Sequence, residues 1–145
     1  MEALMKNIIK IEKFYDYPIQ RVWHAISDAR AISEWFIEAD FKAEVGYQYK
    51  FKHESTIVTG QVLEANPPTE LIYTWKVGEM EVVTTVKWLL EAQNHGTLLL
   101  LEHAGFENYE DVVTVEEMFK ASTTGWNSVV NQLQGYLEKR QDGDK

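Results

Sequence analysis

Phe119-Lys120-Ala121-Ser122-Thr123-Thr124-Gly125-Trp126 is the stretch on which the fold turns. It lies inside the one long helical pattern of the chain, Thr114 to Lys139. There Met118, Phe119, Trp126, Val129, Val130, Leu133 and Leu137 recur at the three-and-four spacing of a single apolar stripe. Between the aromatic anchors Phe119 and Trp126 the side chains become small and hydroxylated. Gly and Thr cost a helix up to about 1 kcal/mol each relative to Ala, so tertiary structure must offset them. Two outcomes are open. The small residues let the helix close on a sheet, or they leave a gap that a ligand fills.

Outward from this helix the pattern is mostly strand. Asn7 to Tyr15 alternates as a first strand. Pro18 suits the first position of a helix whose stripe is Ile19, Val22, Trp23 and Ile26, and Asp28 can cap a second short helix ending at Trp35-Phe36. Tyr47, Tyr49 and Phe51 then alternate with Gln48, Lys50 and Lys52 as a half-buried strand. Further strands are expected over Thr56 to Ala65, Leu71 to Lys76, Val82 to Glu91 and Thr97 to His103, joined by short turns as in a meander. Thr114-Val115-Glu116-Glu117 has capping-box form, with Val113 and Met118 placed as a hydrophobic staple. The expected order is a strand, two short helices, six further strands, five of them placed above, and a helix from about Val115 to Lys139. Beyond it a polar tail, residues 138–145, is expected to fray.

The 145 residues suit one domain, 1–145, with a core of about 8–137. Hydrophobic residues make up 45% of the chain, enough for a folded core. No apolar run is long enough to span a membrane and the first residues lack a signal-peptide pattern, so a cytoplasmic protein is expected. The formal charge of -9, with no basic stripe, opposes nucleic acid and anionic lipid as partners. Zero cysteines exclude disulfides and thiolate chemistry.

Catalytic patterns are lacking. The four histidines, His24, His53, His95 and His103, are scattered over a helix, two turns and a strand end, and none has metal-ligand spacing. No acid/base pair is recognisable, so an enzyme is not the favoured reading and no cofactor is expected. His103 shares the inward phase of Leu99 and Leu101, where a satisfied core histidine is the stronger reading. The aromatics carry more information. Tyr49, Phe51, Tyr73, Trp75 and Trp88 fall in inward strand phases, while Trp35 and Trp126 lie on helices that can close the ends of one concave face.

Several motifs in order resemble the START-like (SRPBCC, Bet v-like) superfamily: Tyr15-Asp16-Tyr17-Pro18, Arg21-Val22-Trp23-His24-Ala25-Ile26-Ser27-Asp28, Trp35-Phe36, Val45-Gly46 through Phe51, and Gly60 through Pro68. The strand Leu71 to Trp75, Gly96-Thr97 through Phe106, and Gly125-Trp126 to Leu137 continue the match. The branch it looks most like is that of homologues of the activator of heat-shock protein 90 ATPase. The resemblance implies an α+β helix-grip fold, a curved antiparallel sheet wrapped around the long C-terminal helix with two short helices after the first strand. It also implies a cavity between sheet and helix that takes apolar molecules. Tyr47 replaces a glycine common in relatives, and the turn His53-Glu54-Ser55 is short, so the cavity rim is expected to differ.

The expected function is binding of a small hydrophobic or aromatic ligand by Trp35, Tyr49, Phe51, Tyr73, Trp75, Trp88, His103, Phe119, Ser122 and Trp126. The competing reading is a protein-interaction module of the activator type in stress response. Finally, Leu89, Leu98 and Leu100 take outward phases on paired strands, and such an apolar patch suggests a weak homodimer or a partner site.

Overall fold

The computed structural model describes residues 7–143. Seven strands form one antiparallel sheet: β1 (Ile9–Tyr15), β2 (Glu38–Asp40), β3 (Gln48–His53), β4 (Thr56–Asn66), β5 (Glu70–Val77), β6 (Thr84–Gln93) and β7 (Gly96–Ala104). Their order is β1-β7-β6-β5-β4-β3-β2, a meander from β2 to β7 with the first strand added beside the last. Two short helices, α1 (Ile19–Ser27) and α2 (Ala29–Trp35), link β1 to the far edge, and α3 (Val112–Gly143) crosses the inner face. This is the α+β helix-grip fold.

Local chemistry explains most boundaries. Pro18 is the N-cap of α1, one position before the place expected for it, and Asp28 caps α2 by accepting the Ala31 N–H at 3.0 Å. The long helix begins earlier than its capping-box pattern suggested. Asp111 accepts both the Thr114 N–H at 2.7 Å and the Thr114 hydroxyl at 3.0 Å, so the cap lies three residues before Thr114. At the other end α3 runs to Gly143, past Lys139 into the segment expected to fray.

Sheet curvature has two visible sources. Register shifts between Val62 and Glu64 on β4, a bulge that bends the strand. Gly60 lies opposite Tyr49, and a Cβ on it would fall 2.0 Å from the Thr74 carbonyl oxygen and 2.7 Å from the Tyr49 ring. Only glycine permits that approach. Tyr49 uses the space to donate its hydroxyl to the Thr74 carbonyl at 2.6 Å.

The C-terminal half of α3 is held firmly. Trp126, Val129, Val130, Leu133 and Leu137 are buried, the buried Tyr15 hydroxyl donates to the Val130 carbonyl at 2.7 Å, and Arg21 donates to the Leu137 carbonyl at 2.9 Å. The preceding turn is different. Ala121, Thr124 and Gly125 are exposed and Ser122 and Thr123 half-buried, so this part of the helix covers the sheet loosely.

Candidate functional site

Where the loosely covered turn of α3 passes the sheet, a cleft of about 180 Å³ opens to solvent. Its helix wall is Ser122, Gly125, Trp126 and Val129. Val58 of β4 and Trp75 of β5 supply the sheet wall, and Phe36 and Ile37, just beyond α2, close the end. Apart from the Trp indoles, Ser122 contributes the one polar side chain.

Gly125 bears on the first of the two outcomes left open by the sequence. A Cβ built on it meets nothing within 4 Å. Its smallness therefore does not serve close approach of helix to sheet, and the residue borders the cleft. Gly125→Ala is accordingly expected to raise stability by about 0.5–1 kcal/mol through helix propensity, measured by urea unfolding. A loss of stability would mean the helix needs the glycine for packing.

The residues expected at the site separate into two groups. Trp75, Ser122 and Trp126 line the cleft. Trp35, Tyr49, Phe51, Tyr73, Trp88 and His103 lie behind it as packed core, from 8% exposed for Trp35 to 1–2% for the others. Their rings interlock: Tyr49 lies 4.6 Å from Phe51 and 5.0 Å from Tyr73, and Phe51 lies 6.1 Å from Trp75, centroid to centroid. Burial raises the Tyr49 and Tyr73 hydroxyls far above their usual range, so both stay neutral. Trp35 donates to the Ala25 carbonyl at 2.8 Å and Trp88 to the Tyr73 hydroxyl at 2.8 Å. Phe119 packs edge-on to Phe106, at 5.6 Å, and faces a different groove beside β1. Phe36, Ile37, Val58 and Val129 were not anticipated, and Gly125 was read only as part of the small-residue gap. Val129 and Gly125 share a helix face with Trp126 and Ser122, a signal that was there to read. The position of Phe36 and Ile37 depends on how the chain leaves α2, which local pattern does not specify.

One polar chain crosses the core behind the cleft. The Trp126 indole N–H donates to His103 Nδ1 at 2.8 Å, and His103 Nε2 lies 2.7 Å from the Thr84 hydroxyl. Indole is a donor only, so Nδ1 is the acceptor and Nε2 carries the proton. Thr84 in turn donates to the Trp75 carbonyl at 3.3 Å. Every polar atom of His103 is satisfied in the neutral state, and burial holds its pKa down to about 3. It is a core histidine that positions the two tryptophans of the cleft. By contrast, neither the Trp75 indole N–H nor the Ser122 hydroxyl has a hydrogen-bond partner among the described residues. The Ser122 hydroxyl, on the cleft wall, remains available to a ligand.

Among the described residues no cluster of three or more His, Asp or Glu side chains is placed to hold a metal, and no helix is long and apolar enough to cross a membrane.

The family model described as Activator of Hsp90 ATPase homolog 1-like protein matches residues 16–138, which include both short helices, strands β2 to β7 and most of α3. The chain belongs to this family. Among solved structures, the chain is similar to protein MLL2253 from Mesorhizobium loti, at 22% identity and TM-score 0.82 over 91% of this chain and 97% of that one. It is also similar to CalU16 from Micromonospora echinospora, at 28% identity and TM-score 0.73 over 92% and 78% of the two chains. PFC0360w, an HSP90 activator from Plasmodium falciparum, shares the fold at 18% identity and TM-score 0.72 over 90% and 96%. No curated protein matches the chain.

Proposed function

We propose that this chain binds a small apolar or aromatic molecule in the cleft between α3 and the β4–β5 part of the sheet. The observation that carries the reading is the open space at Gly125 beside Trp75 and Trp126. An apolar cavity of about 150 Å³ accommodates benzene in other proteins, whereas drug-sized ligands need roughly 300 Å³ or more. At about 180 Å³ the cleft suits a one- or two-ring molecule or a short aliphatic chain and is too small for a sterol. Trp75 and Trp126 supply apolar contact, and the unpartnered Ser122 hydroxyl favours a ligand carrying one hydrogen-bond acceptor.

A protein-interaction role of the activator type is the second reading. Family membership favours it, as does the fold shared with the Plasmodium falciparum activator. No described feature of the cleft depends on it.

The test uses 2-naphthol, a two-ring probe with one hydroxyl, titrated by calorimetry into the wild type and Ser122→Trp. The wild type is expected to bind in the micromolar to millimolar range. The indole in Ser122→Trp fills the cleft and should weaken binding at least roughly tenfold while the melting temperature stays within a few degrees. Equal binding by both proteins would remove the cleft from consideration.

A further inference from the structure

Strand β1 pairs with β7 along one side, and among the described residues no strand pairs with its other side. The interactions of Asn7, Arg21 and Tyr136 apart, no loop or side-chain hydrogen bond among them ends on the backbone of residues 8–14. Along this edge runs a groove of about 450 Å³. One wall is five consecutive residues, Ile8 to Glu12; the other is Phe119, Thr123 and Asn127 of α3. Consecutive residues of a strand point to opposite faces, so a groove that touches all five runs along the backbone edge and not over a face. An unpaired edge of this kind is a template for another strand.

We propose that the occupant is β1 of a second copy, paired antiparallel about a two-fold axis at Ile11. In such a pair opposed residues share a sheet face, so the axis must pass through a residue. Centring on Lys10, Glu12 or Lys13 sets a charge against its own copy. Centring on Phe14 sets Glu12 against Asp16, and centring on Ile9 brings no unlike charges together within the strand. The Ile11 register alone sets unlike charges opposite one another within the strand. Lys10 faces Glu12 of the second copy twice, Ile11 faces Ile11, Ile9 faces Lys13 twice, and Phe14 faces Ile8, just before the strand, twice. It also covers Phe14, a residue 47% exposed although Leu98 lies opposite it on β7. On the inner face the second copy's Ile11 enters the groove beside Phe119.

This assignment replaces a stacking of outer faces. Leu89, Leu98 and Leu100 do point outward, but each is half-buried, and Leu100 is flanked by its cross-strand neighbours Glu12 and Leu89. In the edge-paired dimer these leucines continue the strip begun by Phe14 and are not the contact itself.

Sedimentation equilibrium of the full chain at physiological ionic strength, up to millimolar protein, tests it. The wild type should show a monomer–dimer equilibrium. Lys10→Glu and Glu12→Lys each put like charges opposite one another at two symmetric places and should raise the dissociation constant roughly tenfold or more. The double variant Lys10→Glu/Glu12→Lys restores the opposed pairs and should return to within roughly threefold of wild type. Melting curves of all three check that the fold persists. A wild type that stays monomeric, single variants that dimerise like wild type, or a double variant as weak as the singles would overturn the proposal. So would loss of dimer only in Leu98→Lys/Leu100→Lys.

Discussion

Trp126→Ala is expected to destabilise the protein by about 4 kcal/mol, the largest single-residue effect in the account. The ring is 4% exposed and lies within 5.2–5.9 Å, centroid to centroid, of Phe36, Trp75, Trp88 and His103. Deleting it leaves a cavity beside an existing cleft and strands His103 Nδ1 without its donor. Trp126→Phe separates the two contributions. It retains most of the packing but loses the N–H, and should cost about 2 kcal/mol, as an orphaned buried acceptor does. Urea unfolding of both variants measures the difference. If Phe is tolerated within about 0.5 kcal/mol, the Trp126–His103 bond contributes little to the fold.

The second large effect is with pH. Burial lowers the folded-state pKa of His103 from 6.5 to about 3, so between those values the unfolded chain binds a proton that the folded chain refuses. The stability this supplies is fully present above about pH 6.5 and is lost as pH falls through the window toward 3, at up to about 1.4 kcal/mol per pH unit. Between about pH 7.5 and 5 the wild type should therefore lose about 2 kcal/mol, in a range where most ordinary carboxylates remain ionised. His103→Gln removes the titrating group and should lose less than about 0.5 kcal/mol over the same interval. Equal losses would move the acid sensitivity to another group.

What could be read from the sequence was what local chemistry specifies. The alternation from Gln48 to Lys52 put Tyr49 and Phe51 inside, and Asp28 announced the start of α2. The small residues between Phe119 and Trp126 pointed to the place where the helix leaves space. Less was legible where several elements decide together. Strand β2 has three residues and no periodicity of its own, and it forms because Ala39 finds Phe51 across from it on β3. The start of α3 was misplaced because Thr114 and Asp111 both have capping chemistry, and the carboxylate, able to accept from both the N–H and hydroxyl of Thr114, prevails. Inward phase also did not distinguish rings that border a space from rings that fill it. Tyr73 and Trp75 share a phase on β5, yet Tyr73 is locked against Trp88 while Trp75 faces the cleft.

That distinction is the central claim, and the five tryptophans report on it directly. Indole N–H resonances of the ¹⁵N-labelled protein, followed during titration with 2-naphthol, should shift first and most for Trp75 and Trp126, which line the cleft. Trp23, half-buried on α1 and no part of the cleft, should stay in place. Indole resonances unmoved up to the solubility limit of the probe, or shifts led by Trp23, would contradict the account.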